Sequence, residues 1–198
     1  MFDDEIREAV AEAGYNDKLS DVLIRLMNYM DRKKWIGACY ATASVLYVCL
    51  SEIGYNPVLC IGEATTDFPK SMSFDHGWIE LDGKIIDLAC SMTLLGGIPV
   101  SPPIIFDKEL ATDETHHTNY GFAGKGMDDP AKWILTIPLG EYMNKYPDHK
   151  DGLWGVVQEI LLLKGSTKRL KEKYSDTRWN YIRKEKDKEV SSNERRSA

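Results

Sequence analysis

Three residues of this chain have the types and order that nucleophilic catalysis requires: Cys39, His76 and Asp87. Cys39 stands in "WIGACYATASVLYVCLSEIGY", residues 35–55, where a glycine-broken turn passes into an apolar helical run. A thiol near neutral pH is mostly protonated and weakly nucleophilic, but the partial positive charge and free N–H groups of a helix N-terminus favour the thiolate. An imidazole can take the thiol proton, stand as its ion-pair partner, and return the proton to a leaving group. A carboxylate on the second ring nitrogen fixes the tautomer and the orientation of that imidazole. The expected chemistry is attack of Cys39 on a carbonyl carbon, with His76 moving the proton and Asp87 orienting His76.

The elements that must hold these groups are readable from the pattern around them. "FDHGWIELDGKIIDLAC" is two β-type runs flanking Asp82–Gly83, a favoured two-residue hairpin turn. Counting outward from that turn, Leu81 faces Lys84, Glu80 faces Ile85, Ile79 faces Ile86 and Trp78 faces Asp87. His76, Trp78 and Glu80 then share one face, and His76 lies diagonal to Asp87 within side-chain reach. Asp75 points to the opposite face and is expected in solvent. Tyr40–Ile53 is apolar nearly all round, which predicts a buried central helix ended by Gly54. Ahead of it, Phe2–Ala13 reads as a short amphipathic helix, and Ser20 or Asp21 can cap a second one. "NPVLCIGEAT" predicts a strand, "PPIIFD" an edge strand, "KWILTIPLG" a strand and "PLGEYMNKYP" a short helix. A C-terminal amphipathic helix is expected from Gly152 to about Lys173. The segment 91–130, which includes the polar stretch "TDETHHTNYGFAGKGMDDP", and the loop 63–74 are expected to face substrate.

Composition narrows the class. The 198 residues suit one domain, expected over 1–185 with its core at 35–90 and a polar, disordered tail at 186–198. A net charge of −6 argues against nucleic-acid binding by the whole surface. Residues 164–198 hold 12 Lys and Arg against 6 Asp and Glu, which leaves −12 on the rest; a basic tail of this mixed kind reads first as solvated helix. No apolar run is long enough for a membrane span, and the acidic start lacks the pattern of a secretory signal, so a cytoplasmic protein without membrane contact is expected. The four cysteines, at 39, 49, 60 and 90, are then expected as free thiols, with Cys49 and Cys60 as packing residues. No Cys-x-x-Cys spacing occurs, and the adjacent His116 and His117 have no partner at ligand spacing, so neither a metal nor another cofactor is expected. "GFAGKG" lacks the frame of a phosphate loop.

"GACYATASVLYVCLSEIGYNPVLCIGEA" followed by "FDHGWIELDGKIIDLA" resembles the transglutaminase-like branch of the papain-like cysteine enzymes. The matching positions are Gly37 and Cys39, Gly62, His76 and Trp78, and Asp87, over roughly residues 35–90. The resemblance implies an α+β, papain/transglutaminase-like fold: N-terminal helices, a central Cys-bearing helix packed on an antiparallel sheet, and a C-terminal helix. It implies a Cys39–His76–Asp87 triad acting on a peptide or protein amide through a thioester acyl-enzyme. The first expectation is a cysteine-dependent hydrolase. The alternatives are an acyltransferase of transglutaminase or N-acetyltransferase type, and a noncatalytic interaction module that keeps the fold and uses its basic C-terminal region for contact. The chain departs from the family in three places. Lys33 stands where papain-type enzymes have the oxyanion-hole glutamine, Tyr40 follows the cysteine where many transglutaminases have Trp, and the Arg-Gly-Gly lead-in of arylamine N-acetyltransferases is missing. The Cys39 backbone N–H is therefore the first oxyanion donor considered, with Trp35 or Lys33 as a second. Tyr40 and Trp78 are supporting residues, Trp78 as an aromatic behind the histidine face.

Overall fold

A computed structural model describes residues 2–66, 71–93, 100–122, 126–147 and 149–184. Three helices come first: α1 (Asp3–Glu12), α2 (Asp17–Lys33) and α3 (Cys39–Glu52). Asn16, not Ser20 or Asp21, caps α2, its side chain accepting the Lys18 N–H at 3.0 Å, so the helix starts a turn earlier than expected. Ser20 instead turns its hydroxyl back to the Asp17 carbonyl. The nine residues of α3 from Ala41 to Leu50 that are buried lie on every side of the helix, as a uniformly apolar stretch requires.

The sheet follows as β1 (Val58–Thr66), β2 (Met72–Leu81) and β3 (Lys84–Asp87), then the short strands β4 (Ile104–Ile105), β5 (Lys108–Glu109), β6 (Asn119–Tyr120) and β7 (Asn180–Tyr181). Its order is β5-β4-β3-β2-β1-β6, with β7 also on β1. All pairings are antiparallel except that of β7 with β1. The hairpin register is the one counted from the turn: Leu81 pairs with Lys84, Glu80 with Ile85 and Ile79 with Ile86. Asp82 and Gly83 both take positive φ, 51° and 77°, which matches the twist of the flanking strands.

One face of the sheet (Leu59, Ile61, Ile79, Leu81, Ile86) joins the main core formed with the helices. The other carries a smaller cluster of Cys60, Trp78, Ile85, Ile104 and Tyr120. The molecule is thus α+β, a central cysteine-bearing helix against a largely antiparallel sheet.

Three elements differ from expectation. The strand of "PPIIFD", β4, is not at the edge of the sheet: it pairs with β3 on one side and β5 on the other. "KWILTIPLG" is not a strand: Asp128 caps a helix, α4 (Asp129–Thr136), by accepting the Ala131 N–H at 2.8 Å, with Pro130 in its first turn. An acidic cap followed by proline outweighs the apolar run behind it. The C-terminal helix is two helices, α6 (Leu153–Leu161) and α7 (Lys168–Tyr174), because Leu162 takes a left-handed conformation (φ 56°) and ends the first. The short helix α5 (Leu139–Asn144) forms where expected. No helix among the described residues is long and apolar enough to cross a membrane. The tail 186–198 lies outside the described residues.

Candidate active site

Cys39 is the first residue of α3, and no side chain caps that helix. The N–H groups of its first turn have no intrahelical acceptor, so the thiol sits where the helix offers both donors and positive potential. Gly37, at φ 68°, makes the turn into the helix, and its N–H donates to the Met92 carbonyl at 2.7 Å. Met92 directly follows a 3-10 turn, Ala89–Ser91, that begins two residues after Asp87. The cysteine turn and the end of β3 are therefore tied together through the backbone.

His76 and Asp87 are 2 % and 3 % exposed, and His76 Nε2 lies 2.6 Å from Asp87 Oδ2. The diagonal geometry of the hairpin delivers this contact. The other carboxylate oxygen, Oδ1, accepts the backbone N–H groups of Ala89 at 2.9 Å and Cys90 at 3.2 Å. Tyr120 donates its hydroxyl to Oδ2 at 2.6 Å. Burial alone would push the Asp87 carboxyl up, but the charge and hydrogen bond of His76, with those of Tyr120 and Ala89, hold it below the ordinary range. Burial likewise disfavours the imidazolium, yet Asp87 and then Cys39 outweigh it and raise His76 to about 10. With Nε2 committed to Asp87, Nδ1 is the ring nitrogen left for the thiol.

Cys39 is partly exposed, whereas Cys49, Cys60 and Cys90 are buried. Burial pushes the Cys60 thiol up to about 12 and the Cys49 and Cys90 thiols well above the ordinary value. These three behave as the packing thiols that their apolar surroundings indicate.

Cys39 and His76 open onto one cavity of about 550 Å³, whose walls include Tyr40, Phe74, Met92 and Pro130. That volume falls in the range of small-ligand sites. Asp75 also lines it, contrary to the expectation of a solvated side chain. It is half-buried and accepts the Asp128 N–H at 2.8 Å, so the segment 126–128 that leads into α4 folds over the strand face that alternation alone would leave open. Burial raises the Asp75 carboxyl; the hydrogen bond from the Asp128 N–H opposes it, and the Asp128 charge adds to it.

Of the supporting residues read from sequence, Tyr40 lines the cavity. Its ring meets Trp179 edge-on at 5.8 Å, and burial, then Cys39 and Asp75, raise its hydroxyl far above the usual value. Trp78 is fully buried 4.9 Å from Tyr120, and its indole N–H donates to Glu80 at 3.3 Å. Trp35 and Lys33 do not line the cavity. Trp35 is packed between Tyr29 and Tyr146 at 5.0 and 5.5 Å, and Lys33 is exposed with its ammonium 5.9 Å from the Tyr29 ring. Neither His116 nor His117 lines it: His116 sits edge-on to Tyr120 and His117 Nδ1 is 3.4 Å from Glu109. Among the described residues no group of three side chains could hold a metal ion.

The residue that sequence reading missed is Tyr120. It lies on the two-residue strand β6, within a stretch whose polarity read only as loop. The available signal was Tyr120 alternating with Phe122, large aromatics that a solvated loop does not need. Comparison with models of known families, with curated proteins and with solved structures returns no match.

Proposed function

We propose that this chain is a transglutaminase-like, papain-related cysteine hydrolase that cleaves a peptide or amide bond through a thioester. One observation supports this most: a buried His76–Asp87 pair at 2.6 Å shares a cavity with a cysteine that opens an uncapped helix. Together these are the parts that thiol activation needs.

The steps follow from the chemistry of each group. His76 takes the Cys39 proton, and the resulting imidazolium is held by Asp87. The thiolate attacks the substrate carbonyl carbon, and the oxyanion is received by the Cys39 N–H at the helix mouth. Collapse breaks the C–N bond as His76 returns the proton to the leaving amine, which leaves a Cys39 thioester. His76 then removes a proton from water, hydroxide adds to the thioester, and the acid departs with the thiol restored. No metal or organic cofactor enters this sequence.

The test is acyl-enzyme trapping with a p-nitrophenyl ester. Intact-mass measurement is expected to find one added acyl group on Cys39, p-nitrophenol release in a burst, and neither in Cys39→Ala. Acylation of several cysteines, or of Cys39→Ala equally, would count against the reading. Adding a primary amine separates the acyltransferase alternative: faster turnover with amide product favours transfer.

A further inference from the structure

We infer that Tyr120 is a positioning residue of the triad, its hydroxyl sharing Asp87 Oδ2 with His76 so that it fixes the carboxylate and dilutes the charge presented to the imidazole. The inference rests on the cysteine-enzyme reading only for its catalytic meaning; the geometry is independent of it. Both donors reach the same oxygen at 2.6 Å, while Oδ1 is held by the Ala89 and Cys90 N–H groups. The carboxylate thus has four donors and cannot rotate without breaking two of them. Tyr120 is 2 % exposed, packs its ring at a tilt against Trp78 at 4.9 Å, and is seated by pairing with Ala64 on β1. A phenol held this way is a neutral donor aimed at a buried anion, a strong kind of hydrogen bond.

The sign of the effect follows from where the hydroxyl proton sits. It stabilises Asp87 most when His76 is neutral and the carboxylate stands alone, and less when the imidazolium already compensates it. Tyr120 therefore lowers the imidazole's hold on its proton. Against burial, Asp87 and then the free Cys39 thiol raise that hold, to about 10. Asp87 still holds the imidazolium when it must return its proton to a leaving amine, so a donor that restrains Asp87 aids that step. The titratable groups facing His76 are Cys39 from α3, Asp87 from β3 and Tyr120 from β6. Those facing Tyr120 are Asp87, Cys90 and Glu109, with the His116 ring edge-on at 5.5 Å.

The experiment is an NMR titration of His76 in a Cys39→Ala background, which removes the thiol and any dependence on its reactivity. Tyr120→Phe keeps the ring on Trp78 and is expected to raise the His76 midpoint by about one pH unit, a tenfold change in proton affinity. His116→Ala removes a ring contact but not the hydroxyl and is expected to leave the midpoint in place. Should Tyr120→Phe not fold, 3,5-difluorotyrosine at 120, a stronger donor of nearly the same shape, is expected to lower the midpoint. No change or a fall in Tyr120→Phe, an equal rise in His116→Ala, or a rise with difluorotyrosine would overturn the inference. Failure of the enzyme reading would show separately, as absence of acylation of Cys39 in the wild-type chain.

Discussion

At residue scale, the proposed chemistry depends on one carboxylate. Asp87 is the meeting point of β3, the 3-10 turn and β6, and each supplies it with a donor or a frame. Asp87→Asn keeps the shape but removes the charge that offsets the burial of the imidazolium. The His76 pKa is then expected to fall to or below the ordinary value of 6.5, because burial remains while its largest compensating charge is gone. Cys39 alkylation near pH 6 should drop about 100-fold, as the tautomer and ion pair are lost. Stability responds with a definite sign. A histidine whose folded pKa is raised from 6.5 to about 10 contributes in full below 6.5 and loses that contribution as pH climbs through 10. Urea midpoints of the wild type measured from pH 6 to 10 should therefore decline, and those of Asp87→Asn should decline less.

At element scale, the hairpin and the cysteine helix were legible because each is dictated locally. The Asp82–Gly83 turn admits one register, and an apolar run with no polar face must be buried. What places Tyr120 and Trp179 around them was hard to read, since β6 and β7 are two residues long and too short for an alternation to stand out from a polar loop. Their positions come from tertiary contact. Gly77, between His76 and Trp78, shows why that contact constrains the site. A Cβ there would lie 2.8 Å from the Tyr40 ring and 3.1 Å from that of Trp179. Gly77→Ala is expected to destabilise the fold by about 1–3 kcal/mol and to slow Cys39 alkylation, because relief of the clash moves the first turn of α3. Thermal melting and labelling rates measured on the same sample check both effects.

At the scale of the whole molecule, the uneven charge has an internal use. Arg169 and Lys173 of α7 both pair with Glu52 at the end of α3, and Tyr174 donates to the same carboxylate at 2.8 Å. Burial pushes the Glu52 carboxyl up, and these partners outweigh it and lower it from 4.5 to about 2. Two cations of the basic C-terminal region are thus turned toward the helix that carries Cys39, which weakens the reading of that region as a contact surface for another protein. Glu52 contributes stability above pH 4.5 that drains as pH falls toward 2. Glu52→Gln should cost about 2 kcal/mol at neutral pH, read from urea unfolding, and the difference from wild type should shrink in acid. Beyond α7 the chain returns to the sheet: Trp179 packs on Tyr40, and the Ile182 N–H donates to the Ile61 carbonyl at 2.9 Å. The C-terminal segment therefore buttresses the site from behind.

The most direct test of the central claim is the pH dependence of iodoacetamide labelling, resolved by peptide mass spectrometry for all four cysteines. Cys39 is expected to react near pH 6 well ahead of Cys49, Cys60 and Cys90, and to lose that lead in His76→Ala. Equal, slow labelling of all four cysteines, or a Cys39 rate at pH 6 unchanged by His76→Ala, would contradict the account.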